Sequence, residues 1–217
     1  MNEKVTTYKN IANIINPHRD IKIKTGDKFG YVEGQQDRYE GFIDSLFNSN
    51  LLKPQGTLNI CDVGFGLGTT LYNISQQLKT YEDFSTSNNL ALNLSYWGTL
   101  QHVGYYGVEY DKELIDKFEQ HLSMFWSNSL NLYHKDCMDI SYEGYDILLI
   151  YTPFRDKTKR KELYKKILRE MKPGAILYEH MFNGYGEDAM LHNLANEYDV
   201  TTKQLLFGGC VNEVIIK

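Results

Sequence analysis

Nowhere in these 217 residues does an apolar run approach the ~18 needed to cross a bilayer, so no transmembrane helix and no membrane partner is expected. The opening stretch, MNEKVTTYKNIANIINPHRD, lacks both an uninterrupted apolar segment and a small-residue cleavage site. No secretion signal is read there, and the cytoplasm is the expected compartment. Cysteine is scarce: Cys61, Cys137 and Cys210 lie far apart and make no CxxC pair. That speaks against a disulfide framework and against a structural zinc site, and no metal is expected. There is no internal repeat, low-complexity tract or Pro/Ser-rich linker to divide the chain. An excess of positive charge is lacking too. The net charge of −5 gives no global attraction to nucleic acid, although it leaves room for a local basic surface.

What is present describes a folded globule. The hydrophobic fraction is 42%, enough to bury a core. Residues 6–15 carry Tyr8, Ile11, Ile14 and Ile15 at helical spacing and stop before Asn16-Pro17. DIKIKTGDKFGYVEG, residues 20–34, alternates apolar and polar groups around Gly26-Asp27 and reads as a short hairpin. A second helix is expected over 37–47, with Tyr39, Phe42, Ile43, Leu46 and Phe47 as its core face.

From residue 57 the pattern changes to strands alternating with helices, the mark of a parallel sheet. Strands are expected at 57–63, 105–110, 130–134, 145–151 and 175–178, and helices at 69–78, 112–125 and 157–171. YDILLIY, residues 145–151, is apolar enough to be buried on both faces. Lys172-Pro173-Gly174 stops the last of these helices. Gly208-Gly209 joins two further strands as an antiparallel edge hairpin. The expected architecture is α/β: a Rossmann-like, mostly parallel twisted sheet with helices on both faces. Residues 1–50 form a helical and hairpin extension, and 51–217 form the main domain. An interval at 83–103 exceeds the ~2–6 residues usual for such connections and reads as an insertion, either functional or tolerated surface.

The chemistry-bearing segment is Asp62-Val63-Gly64-Phe65-Gly66-Leu67-Gly68. A glycine-rich turn that leaves a parallel strand and opens a helix suits an anionic group, because the backbone can approach closely and the helix start offers free N–H groups. A dinucleotide fingerprint would be GxGxxG, but Thr69 stands where its last glycine would be. The next strand ends in Glu109, with Tyr110 beside it; an acid there can accept ribose hydroxyls, or be a solvated strand-end charge.

DVGFGLG resembles the (E/D)xGxGxG loop of class I S-adenosylmethionine-dependent methyltransferases. GVEYD resembles their ribose-binding strand end, and MKPGAIL their motif before the fifth strand. The resemblance implies S-adenosylmethionine as cofactor. Gly64, Gly66 and Gly68 would pass its methionine end, Asp62 would help fix the loop and the amino group, and Glu109 would hold both ribose hydroxyls, with Phe65 and Tyr110 as further cofactor-binding residues. Asp136 would meet the adenine amino group with Cys137 beside it; the alternative for Asp136 is a turn or capping carboxylate. The extension, chiefly its polar residues 24–41, would serve as a lid over the acceptor site or as a cap that packs on the sheet.

Ligands of an open α/β sheet gather at the carboxyl ends of its strands. Tyr151, Glu179 and His180, at the ends of the fourth and fifth strands, are therefore the candidates to handle an acceptor proton. YTPF, residues 151–154, keeps only part of the (N/D)PP(Y/F) motif, which argues against adenine or glutamine methylation. Phe65 and Phe154 offer either aromatic faces for a sulfonium or packing. RDKTKRKELYKK, residues 155–166, is either a solvated helix face or a surface for a phosphate-bearing substrate. The expected activity is methyl transfer to a small-molecule acceptor. The alternatives are an RNA (tRNA) methyltransferase, an NAD(P)-dependent oxidoreductase and a non-catalytic nucleotide-binding protein.

Overall fold

Seven strand segments pair into one mixed sheet. In the computed structural model, which describes residues 3–16, 39–52, 56–86, 100–126, 130–150, 154, 156–179 and 190–217, five strands run parallel. They are β1 (Gly56–Val63), β2 (Leu100–Glu109), β3 (Leu130–His134), β4 (Ile147–Ile150) and β5 (Ile176–Glu179). A hairpin of β6 (Thr201–Phe207) and β7 (Cys210–Ile216) closes one side. The order is β3-β2-β1-β4-β5-β7-β6, with β7 antiparallel to both of its neighbours. The hairpin read from Gly208-Gly209 is present, with β7 inside the sheet and β6 at its edge. The hairpin and lid expected from residues 20–34 and 24–41 fall largely outside the described residues.

Among the described residues six α-helices complete the layers: α1 (Glu3–Ile15), α2 (Phe42–Asn48), α3 (Thr69–Thr86), α4 (Lys112–His121), α5 (Lys157–Glu170) and α6 (Met190–Ala195). Alternation along the strands sorts the core into two halves, as a period of two requires. Leu58, Ile60, Ile147, Leu149, Ile176 and Tyr178 pack with α1, α2, α3 and α4. Cys61, Val63, Leu148, Ile150 and Leu177 pack with α5 and α6. All four β4 residues are buried, as a strand covered on both faces should be. Helices thus lie on both faces of a mostly parallel sheet.

Several boundaries depart from the sequence reading, each for a local reason. The second helix begins at Phe42 rather than Asp37, because Gly41 takes a left-handed φ of 73° and turns the chain just before it. Tyr39 is nonetheless buried, and Gln77 of α3 accepts from the Ile43 N–H at 3.3 Å and donates to the Tyr39 carbonyl at 2.8 Å. Of the interval 83–103, the described residues place 83–86 in α3 and 100–103 in β2, which starts opposite Gly56; the rest lies outside the described residues. The helix expected over 112–125 stops at His121; Leu122, at φ −119°, separates it from a 3₁₀ turn over Ser123–Phe125. α6 carries no distinct periodic signal and was not expected.

Away from the glycine turn, the amino ends of β1 and β4 are fastened by Asp146. Its Oδ2 accepts from the Asn59 N–H at 2.8 Å and its Oδ1 pairs with Lys172 Nζ at 2.6 Å. Its own N–H donates to the Asn59 carbonyl at 2.8 Å. Asp146→Ala strands the Asn59 N–H, and the expected cost is about 1–3 kcal/mol in denaturant unfolding. A change under about 0.5 kcal/mol would show that this fastening is dispensable.

Candidate functional site

The turn after β1 is built on three glycines with left-handed backbone. Gly64, Gly66 and Gly68 have φ values of 87°, 57° and 73°. Residues with a Cβ adopt such angles only under strain, so the GxGxG spacing follows from the path of the chain. The Gly64 and Phe65 N–H groups both donate to the Val108 carbonyl at 3.0 Å, which seats the turn on β2. The Gly68 N–H donates to the Phe65 carbonyl at 2.8 Å, and α3 starts at once, the Tyr72 N–H reaching the Gly68 carbonyl at 2.9 Å. The first turn of α3 therefore opens at the carboxyl ends of β1 and β2.

Glu109 crosses from β2 to this turn. Its Oε2 accepts from the Gly66 N–H at 2.8 Å, while its Oε1 accepts from the Tyr110 and Asp111 N–H groups, each at 2.8 Å. Burial pushes this carboxyl above the ordinary glutamate range, against the lowering exerted by those three amides; the nearby Asp111 adds to the rise. Asp62, at the end of β1, is buried, whereas Glu109 is half-buried. Desolvation, and after it the charge of Glu109, hold its carboxyl well above the ordinary aspartate range. A buried and a half-buried acid at adjoining strand ends leave a site short of positive charge.

Phe65 turns away from the turn's open side. It is buried, meeting Phe118 edge-on at 5.1 Å and Trp126 at 6.4 Å, which is the packing alternative. A Cβ on Gly68 would lie 2.3 Å from the Phe65 ring, and one on Gly107 2.5 Å from it. Gly107 in β2 is thus part of the site's construction, a role that strand residues alone did not signal.

At the end of β3, Asp136 caps the 3₁₀ turn Cys137–Asp139, its Oδ1 accepting from the Met138 N–H at 2.9 Å. The capping alternative is therefore realised through one of its oxygens. Cys137 is buried, and its carbonyl accepts from the Tyr142 hydroxyl at 2.7 Å. The Tyr110 side chain is exposed at the end of β2, where its carbonyl meets His134 Nε2 at 3.1 Å.

Near the ends of β4 and β5 the structure describes Glu179 and Phe154; Tyr151 and His180 lie outside the described residues. Glu179 is buried and accepts a hydrogen bond from the Tyr164 hydroxyl of α5. Phe154 is buried in the core half beneath α5. Arg160, one helical turn before Tyr164, is buried as well and donates from Nε to the Phe154 carbonyl at 3.2 Å. The basic run is therefore not a uniform solvated face. Lys157, Lys159 and Lys161 are exposed, Lys165 and Lys166 pair with Glu162 and Glu170, and Arg160 is buried. Arg160 and Tyr164 sit four residues apart on the apolar stripe of α5, a spacing that could have revealed them. No helix of the described residues is long and apolar enough to cross a membrane, and among them no group of His, Cys, Asp and Glu could hold a metal.

By sequence, no family model and no curated protein matches the chain. By structure it is similar to solved methyltransferases. A protein from Listeria monocytogenes assigned to the class I S-adenosylmethionine-dependent methyltransferases superposes with a TM-score of 0.58 at 13% identity, over 99% of this chain and 68% of that one. An S-adenosylmethionine-dependent methyltransferase from Aquifex aeolicus gives 0.52 at 10% identity, over 96% and 97%. An rRNA methylase from Streptococcus thermophilus gives 0.50 at 14% identity, over 81% and 94%. At these identities the likeness is one of fold, and this chain has the Rossmann-like fold of these methyltransferases. The antiparallel β7 between β5 and β6 also departs from the 3-2-1-4-5-6 order of the dinucleotide-binding oxidoreductases.

The two raised carboxyls fix a pH dependence. A group whose pKa rises on folding binds its proton more tightly in the folded state, so its contribution is present at low pH and lost as pH rises through the folded-state pKa. The ligand-free protein is expected to lose stability as pH climbs from the ordinary carboxylate range through the pKa values of Asp62 and Glu109. Asp62→Asn should flatten that decline and raise the melting temperature at pH 7.5 by about 2–4 °C, on the order of 1 kcal/mol. An unchanged pH profile in thermal melts would contradict this.

Proposed function

We propose that this protein is an S-adenosylmethionine-dependent methyltransferase acting on a small-molecule acceptor. The observation that carries the reading is the left-handed glycine turn clasped by Glu109 beside the buried Asp62. The donor set fits the cofactor. The buried Asp62 and the half-buried Glu109 suit the cofactor's cationic ammonium and sulfonium groups, and the opening turn of α3 suits its carboxylate. Glu109 Oε2 accepts one backbone N–H, which leaves it lone-pair capacity for a ribose hydroxyl. Asp136 Oδ2 would take an adenine amino hydrogen while Oδ1 keeps its cap, with Cys137 and Tyr110 flanking the base.

When bound, the cofactor supplies an electrophilic methyl group on a sulfonium. The chain's task is to align an acceptor with it and exclude water. On this reading Gly64, Gly66 and Gly68 admit the methionine end, and Asp62 orients its amino group. Glu179, held by Tyr164, orients an acceptor N–H or O–H, and Tyr151 and His180 are the further candidates to accept its proton. Residues 1–50 are read as an extension of the domain formed by 51–217.

A second reading, an RNA acceptor, is favoured by the exposed Lys157, Lys159 and Lys161 at the start of α5, next to the segment that follows β4. Replacing all three with alanine should weaken RNA binding and lower its salt slope by about one unit for each phosphate no longer neutralised. Unaltered RNA binding would leave the small-molecule reading in place.

The proposal is tested by equilibrium dialysis with S-adenosylmethionine against NAD. The wild-type protein is expected to bind the former, and an acceptor assay to release S-adenosylhomocysteine. Gly66→Val and Glu109→Ala should each weaken binding by more than about tenfold. Retained binding in both variants would overturn the site, and preference for NAD would overturn the activity.

A further inference from the structure

Beneath the glycine turn lies a contact that reaches across the chain. The Tyr8 hydroxyl of α1 donates to the Leu67 carbonyl at 2.7 Å, and it accepts from the Trp126 indole N–H at 3.2 Å. Chemistry fixes both directions, since a carbonyl only accepts and an indole N–H only donates. The Tyr8 ring is held as firmly. It stacks on Tyr72 in the first turn of α3, at 4.2 Å and 13°, and meets Phe125 edge-on at 5.5 Å. Tyr8 is buried.

The Leu67 carbonyl and the Gly68 N–H belong to one planar peptide unit. Tyr8 holds the oxygen of that unit, and the Phe65 carbonyl accepts from its nitrogen at 2.8 Å. The unit borders Gly68, whose left-handed φ of 73° lies in a region where glycine has most freedom to rotate. Fixing both of its ends sets which way the turn faces. Glu109 does the same for the Gly66 N–H from the opposite side.

We propose that Tyr8 is a positioning residue of the cofactor turn, and that its hydroxyl links the turn's conformation to the indole of Trp126. The inference rests on the reading of this turn as the S-adenosylmethionine site. Ligand seated on the turn moves or stiffens the Leu67–Gly68 peptide, and the Tyr8 hydroxyl passes the change to the Trp126 N–H. The N-terminal helix thereby belongs to the cofactor site although it contributes no residue to the glycine motif.

The test uses the full chain carrying Trp97→Phe, which leaves Trp126 as the single tryptophan. S-adenosylmethionine is expected to change Trp126 emission in this parent. Adding Tyr8→Phe keeps the stacked ring and removes the hydroxyl; it should raise the dissociation constant roughly three- to tenfold and abolish most of the emission change. Trp126→Phe, which keeps the Tyr8–Leu67 bond, should raise the constant by no more than about threefold. A Tyr8→Phe protein that melts lower but binds with unchanged affinity and an unchanged signal would overturn the proposal. Should Tyr8→Phe fail to fold, Tyr8→His, judged by the same constant, decides: parent affinity overturns the proposal and weakened binding supports it. A parent that does not bind the cofactor at all overturns the functional reading, and this inference with it.

Discussion

The Glu109 carboxylate takes one N–H from the glycine turn and two from the end of its own strand, and the geometry of the site depends on that sharing. Carboxylate hydrogen bonds to backbone amides are charge-assisted and stronger than those between neutral groups. Here they join β1 to β2 at the point where both strands end. The seating of Gly64 and Phe65 on the Val108 carbonyl reinforces the same junction. With it fixed, α3 starts at one angle, and its opening turn faces the strand ends.

That junction has an energetic cost. Asp62 is buried and Glu109 half-buried, and each carboxyl is pushed up, by desolvation first and for Asp62 by the charge of Glu109 next. Like charges out of water are unfavourable unless something compensates them. The structure tolerates this at the carboxyl end of the sheet, whereas at the other end Asp146 is matched by Lys172 and the Asn59 N–H. A cationic ligand group is the natural complement of the acidic end. Strain and uncompensated charge concentrated at one place are what a binding site looks like when the rest of the fold supplies the stability.

The parts of this arrangement governed by local chemistry were legible in the sequence. GFGLG after an apolar strand announced a turn with left-handed backbone, and Lys172-Pro173-Gly174 announced the end of α5. The alternation of strands and helices gave the α/β architecture and the closing hairpin. What could not be read depended on contacts far apart in sequence. Gly41 looked like an interior residue of a helix until its left-handed backbone set the start of α2. Phe65 could face a ligand or the core, and the space left by Gly68 and Gly107 decided for the core. Arg160 read as one more cation in a basic run, but its Nε is spent on the Phe154 carbonyl. Tyr8 read as one apolar position of a terminal helix, and its hydroxyl meets a carbonyl 59 residues away.

The central claim is that one surface, at the ends of β1 and β2, binds S-adenosylmethionine. A crystal structure with S-adenosylhomocysteine tests it most directly. The account requires the ribose hydroxyls within hydrogen-bonding distance of Glu109, the amino group beside Asp62 and the amino-acid end against Gly64 to Gly68. S-adenosylhomocysteine bound elsewhere, with the Glu109 oxygens meeting only backbone, would contradict it.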